Sequence, residues 1–182
     1  EEQLLLMQKT PDPLPERPPH APRSEELALR GRLIEMVRRA YRQRLIISTY
    51  GTFSARTGDD AFLITPYGKD RYLLERDDLV HINKDGQEPG KLPSRSARLH
   101  QRIYREHREI NAVMTAQAPH ATAYAVVGEP FDTRTIPESY ILLRDVPLLP
   151  FGDQMGEGTE TSAALSEDRP ILLLQNDALM VT

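Results

Sequence analysis

A chain of 182 residues with 39% hydrophobic and 27% charged residues has the size and composition of one ordinary globular domain with a real core. Its formal net charge of −4 gives no overall attraction for a polyanion, so nucleic acid is not expected as a partner; nor is a membrane, because no apolar run approaches the roughly 20 residues needed to span a bilayer. Cysteine is absent, which excludes disulfides and thiolate metal sites, and with no export signal in view a cytoplasmic location is expected.

The N-terminal stretch carries a short apolar group, Leu4 to Met7, followed by Pro11, Pro13, Pro15, Pro18, Pro19 and Pro22. Proline at this density can neither continue a helix nor donate to a sheet ladder, so residues 1–22 are expected as an extended arm. The arm is either a loosely held tail or a strap whose apolar tip crosses a neighbouring subunit. Residues 23–182 are expected to form the domain.

At Ser24, a candidate N-cap, the pattern changes: Leu27, Leu33, Ile34, Val37, Ala40 and Tyr41 recur at helical spacing, predicting an amphipathic helix through Arg44. Arg38, Arg39, Arg42 and Arg44 interleave with these positions and mark its solvated side rather than a nucleic-acid patch. Short apolar runs at 62–65, 79–82, 110–114, 146–149 and 171–174 predict strands. Helices are predicted from Ser94 to Glu106, with Leu99, Ile103 and Tyr104 inward, and from Pro119 to Val127. This order fits either a doubly wound parallel sheet or a layered α/β sandwich.

Local motifs choose between them. Gly51-Thr52-Phe53-Ser54-Ala55-Arg56, Thr65-Pro66-Tyr67-Gly68, Lys91-Leu92-Pro93-Ser94, Leu99-His100, Ala112-Val113, the Pro119 helix start and Leu172-Leu173-Leu174-Gln175-Asn176 follow in order. From about residue 27 to the end this set resembles the class II aldolase/adducin family. The resemblance implies a three-layer α/β/α sandwich with a largely antiparallel central sheet, a homo-oligomer in the form of a tetramer with sites between subunits, and a domain that continues past Thr182.

In enzymes of that family zinc is held by three histidines, and in the aldolases a glutamate moves the proton. Two of the histidines occupy alternate positions of a strand, so that both face one way; here those positions are Thr115 and Gln117. The third position is Asp177, and Ser96 stands at the glutamate position. Hydroxyl and amide oxygens with one carboxylate suit at most a hard cation that keeps several waters, so zinc is expected to be absent.

The family's phosphate-binding segments are less altered, and they nominate Thr52, Ser54, Gly68, Ser94 and Arg95 as anion-binding residues, the last two beside a predicted helix N-terminus. Tyr67 and Ala178 replace smaller residues, and each is expected to obstruct the inherited site. Glu138, Asp177 and His120 are the candidates for a relocated acid or base, while His100 reads as a packed helix residue. The leading expectation from the missing ligands is a non-catalytic member of the fold that acts by assembly or by binding a protein partner. The alternatives are a module that binds a sugar phosphate or other small anion, and an aldolase-type lyase or other enzyme with a rebuilt active site.

Overall fold

A computed structural model describes residues 10–19 and 21–182, so the apolar tip at Leu4 to Met7 lies outside the described residues. Helix α1 spans Ser24–Arg42 and leads into strands β1 (Thr52–Gly58), β2 (Ala61–Ile64), β3 (Val80–Asn83) and β4 (Gly86–Gln87). Helix α2 (Ala97–Glu106), β5 (Ala112–Ala116), α3 (Pro119–Val127) and α4 (Pro137–Leu143) follow. The chain then forms β6 (Leu148–Leu149), α5 (Thr159–Ala164), β7 (Ile171–Leu174) and β8 (Ala178–Val181).

The strands build one sheet in the order β4-β3-β2-β1-β5-β8-β7-β6, and each pair is antiparallel except β6 with β7. Alternation along β2 places Phe62 and Ile64 on one face and Leu63 on the other, the period that a strand buried on both sides requires. On the first face Leu99, Ile103 and Tyr104 of α2 pack against Phe62, Ile64, Val80 and Leu172. On the opposite face Leu33, Ile34 and Val37 of α1 cover Phe53, Leu63 and Leu79. Each fully buried Leu or Ile contributes about 1.5–3 kcal/mol of transfer free energy, so these two apolar layers hold the helices to the sheet. The expected three-layer architecture is thereby observed. No helix of the described residues is long and apolar enough to cross a membrane.

Helix boundaries differ from the sequence reading in instructive ways. Arg23 occupies the N-cap of α1 with no side-chain cap bond, and Ser24 is already helical. Leu27 is exposed, whereas Glu26 and Arg30, one turn apart, are buried. Arg30 donates to Glu26 Oε1 at 2.7 and 2.9 Å, to the Leu79 carbonyl at 2.8 Å and to Glu88 Oε2 at 3.1 Å, so its charge enters the fold fully partnered. Helix α2 begins at Ala97 rather than Ser94, leaving Ser94-Arg95-Ser96 as a loop. Strand β1 was not anticipated, because Thr52, Ser54, Arg56 and Thr57 give it no apolar run.

The described part of the arm pairs with the edge of its own domain. Gln87 of the edge strand β4 binds it on both sides: Gln87 N–H donates to the Pro15 carbonyl at 2.8 Å, and Arg17 N–H donates to the Gln87 carbonyl at 3.0 Å. Leu14 N–H donates to Gln87 Oε1 at 3.1 Å, and the Leu14 side chain joins the core beside Ala97 and Leu99. Proline suits this edge because the pairing uses the Pro15 carbonyl and needs no N–H from it.

Candidate active site

The sheet and the loops at one end of it enclose a cavity of about 180 Å³. Two loops build one side of its wall. The turn into β1 brings Gly51 and Thr52. Gly51 has φ +84°, and a Cβ there would meet Ile46 Cγ2 at 2.5 Å, so no other residue fits this turn unchanged. The loop after β2 brings Tyr67 and Gly68. Buried Arg71 ties the two together, donating to the carbonyls of Gly51 at 2.8 Å, Pro66 at 3.0 Å and Lys69 at 2.8 Å, while desolvation lowers its pKa to about 10. Sequence reasoning missed Arg71, whose only local signal was a basic residue shortly after a Pro-Gly loop.

The floor comes from the sheet. Thr115 lies near the end of β5, where its Oγ1 accepts the Thr52 N–H at 3.0 Å, and Gln117 follows just beyond the strand. Gln117 Oε1 is buried, with no hydrogen-bond partner among the described residues. The turn from β7 to β8 supplies Asp177. Asn176 takes φ +55° there, a conformation asparagine tolerates better than most residues. Ala178, expected to obstruct a left-handed conformation, begins β8 as a buried residue instead; the strained position is one that suits its occupant.

Asp177 and Arg95 give the cavity its electrostatic character. Burial pushes the Asp177 carboxyl above the ordinary carboxylate range, opposed by a hydrogen bond that its Oδ2 accepts from Gln154 Nε2 at 3.2 Å and by the positive charge of Arg95. Arg95 leans over the ring of Tyr67, 5.9 Å from its centroid, so Tyr67 supports the guanidinium and leaves the cavity open rather than filling it. A carboxyl raised by desolvation beside a cation in a concave site is the arrangement that acid–base catalysis uses.

The structure brings together the four positions that the sequence reading set at the metal and base: Thr115, Gln117, Asp177 and Ser96 all line this cavity. They do not fit zinc. Thr115 Oγ1 is already bonded to a backbone N–H, Gln117 offers a neutral amide oxygen, and burial makes the single carboxyl hold its proton more readily than usual, although the charge of Arg95 opposes this. Among the described residues no group of three His, Cys, Asp or Glu side chains could hold a metal ion. Of the anion candidates Thr52, Gly68, Ser94 and Arg95 line the cavity. Ser54 does not: its hydroxyl is buried, 2.7 Å from both His100 Nδ1 and Tyr104 Oη. Ser94 directs its N–H and its hydroxyl to the Thr65 carbonyl, at 3.1 and 2.9 Å, and so braces the loop rather than capping α2. His120 and Glu138 are exposed on the first turns of α3 and α4 and do not line the cavity.

Comparison with known proteins places this site in context. The profile of the family described as "Class II Aldolase and Adducin N-terminal domain" matches residues 31–182, most of the chain. The chain belongs to the class II aldolase and adducin family. It is 24% identical over 147 residues to an L-fuculose phosphate aldolase of Methanocaldococcus jannaschii, a match covering 81% of this chain and 80% of that one. It is 37% identical over 93 residues to a methylthioribulose-1-phosphate dehydratase of Sorangium cellulosum, covering 50% of this chain. That alignment spans less than half, 44%, of the dehydratase. Among solved structures the L-fuculose-1-phosphate aldolase of Thermus thermophilus superposes with a TM-score of 0.71 at 25% identity, covering 86% of this chain and 78% of that one.

These class II aldolase relatives overturn the expectation of a non-catalytic member. The proteins that the chain matches are named as enzymes, and they include a dehydratase as well as aldolases. That expectation equated loss of the zinc ligands with loss of chemistry. The cavity at those positions is lined by one carboxyl, Asp177, and by the guanidinium of Arg95.

Proposed function

We propose that the chain is an aldolase-type lyase with a rebuilt active site, acting on a small ketose phosphate. The observation that carries this reading is that Asp177 and Arg95, of opposite charge, share one small cavity with the open acceptor of Gln117. Arg95, with the hydroxyls of Ser96 and Thr52 and the backbone of Gly68, forms the anion-binding end. Asp177 is the proton-transfer group. In its ionised form it takes the proton of the β-hydroxyl for carbon–carbon cleavage, so that the Cα–Cβ bonding pair passes to the carbonyl oxygen as an enolate and an aldehyde leaves. For dehydration it takes the proton of the carbon next to the carbonyl, and the enolate so formed expels the β-hydroxyl, which leaves as water with the proton that Asp177 returns. A raised pKa brings Asp177 nearer to neutrality, where it can both accept and return a proton. The names of the relatives support the substrate class, since an aldolase and a dehydratase among them both act on sugar phosphates.

Assembly as a homo-oligomer, a tetramer in the family's manner, and a cytoplasmic location form part of the same proposal. Exposed Val127, Ile141 and Leu142 on α3 and α4 support assembly by offering apolar surface for a second copy.

The test is to incubate the full chain with L-fuculose 1-phosphate and with methylthioribulose 1-phosphate while following products and binding. The expected result is turnover of at least one, abolished in Asp177→Asn, with binding weakened in Arg95→Ala. Tight binding of both compounds without any product would favour the anion-binding module instead.

A further inference from the structure

The N-terminal arm passes beside the proposed active site. A second groove, lined by Thr10, Pro11, Asp12 and Leu14 of the arm, shares Ser94, Arg95 and Met155 with the active-site cavity. The arm therefore forms the far wall of a depression whose near wall is the Arg95 loop.

This placement is built into the domain rather than left to chance. Gly86 in β4 has φ +132°, and a Cβ there would lie 1.9 Å from the Pro15 carbonyl oxygen, so the edge strand has a bare backbone where the arm approaches. Gln87 then grips the arm through main chain and side chain together. Gly90 N–H donates to Glu16 Oε1 at 2.8 Å, and an Arg17 guanidinium nitrogen lies 2.9 Å from His81 Nδ1. Leu14 packs into the core cluster that contains Ala97, the first residue of α2, and Leu99, which itself lines the cavity. The segment that follows Arg95 thus packs against the arm.

Resting on the assignment of Arg95 to the anion end of the site, we infer that residues 10–14 are part of the substrate-binding site. The arm holds the Arg95 loop in its binding position and closes the outer side of the depression. It also sets the local charge, because Asp12 lines the groove with Arg95 and Arg98 and so opposes an incoming phosphate dianion. The arm is a positioning and specificity element; Asp177 remains the proton-transfer group.

Two variants, a truncation and a point substitution, separate this role from simple stabilisation. Removing residues 1–13 deletes the outer wall but keeps Leu14 and the Gln87 pairing, and Asp12→Asn leaves the whole arm in place. With L-fuculose 1-phosphate or methylthioribulose 1-phosphate as the probe, the truncation is expected to raise KM and the calorimetric Kd by roughly tenfold with little change in kcat, as loss of a positioning wall should. Asp12→Asn is expected to tighten binding about threefold at low salt, an effect that salt should diminish. Arg95→Ala serves as the control on the underlying site. If Arg95→Ala abolishes binding while the truncated protein and Asp12→Asn both bind as the parent does, the inference is overturned and the active site stands. If Arg95→Ala binds as the parent does, the assignment of the anion end fails, and the inference with it.

Discussion

Gln154 holds the carboxyl of Asp177 through one hydrogen bond, Nε2 to Oδ2 at 3.2 Å, while Gln154 Oε1 accepts the Gly152 N–H at 3.0 Å. Gln154 is itself buried in the short 3-10 turn Asp153–Met155, so the amide is fixed before it meets the acid. The bond favours the ionised carboxylate against the desolvation that opposes it.

Replacing Gln154 with leucine removes that stabilisation and should raise the Asp177 pKa further. Because the carboxylate is the form that accepts a proton, the acidic limb of the kcat/KM profile should move to higher pH. Activity should fall most below neutrality and recover as the pH rises. A profile that keeps its acidic limb while activity drops equally at every pH would mean that Gln154 acts only through packing.

Asp177 also links stability to pH. Its folded pKa lies above the unfolded value of about 3.9, so the folded chain binds this proton more tightly than the unfolded one. The resulting stabilisation is complete below that value and is lost as the pH rises through the folded pKa. Asp177→Asn should therefore raise Tm by a few degrees at pH 7, and the difference should disappear toward pH 3. Thermal melts across that range check it; an Asn variant less stable at neutral pH would contradict the burial argument.

Ser54 separates structure from binding. Its hydroxyl sits between His100, held near pKa 3 by burial, and Tyr104, whose phenol burial pushes well above its ordinary value. Ser54→Ala leaves both partners buried without that bond and should cost about 1–3 kcal/mol, seen as a lower denaturation midpoint. Affinity for a sugar phosphate should stay unchanged, in contrast to Arg95→Ala.

How far the sequence speaks depends on the kind of signal each residue carries. The core helices and strands were legible because apolar period reports burial directly: Leu33, Ile34, Val37 and Ile171–Leu174 fall where that pattern predicts. The cavity positions Thr115, Gln117, Asp177 and Ser96 were legible only through resemblance, since none carries a spacing of its own. Strand β1 and Arg71 were hidden for opposite reasons. The first is a polar strand placed between two others by pairing, and the second a charge buried on backbone carbonyls that no pattern in the sequence reports. Ser54 and Ser94 looked alike as donors, yet their hydroxyls are consumed by His100 and Tyr104 and by the Thr65 carbonyl, long-range contacts that only the fold creates. The reading of function erred where it reasoned from missing ligands alone, because the relatives that the chain matches are named as enzymes.

The most direct test of Asp177 as the proton-transfer group is solvent exchange. The full chain, treated with a chelator, is incubated in D2O with L-fuculose 1-phosphate or methylthioribulose 1-phosphate, and the carbon-bound protons next to the carbonyl are followed by NMR. The account predicts deuterium incorporation or product formation by the parent protein that falls by at least roughly a hundredfold in Asp177→Asn, the scale of one general acid–base group. Exchange and turnover that persist unchanged in Asp177→Asn, or that are absent from the parent protein while both sugar phosphates bind, would contradict it.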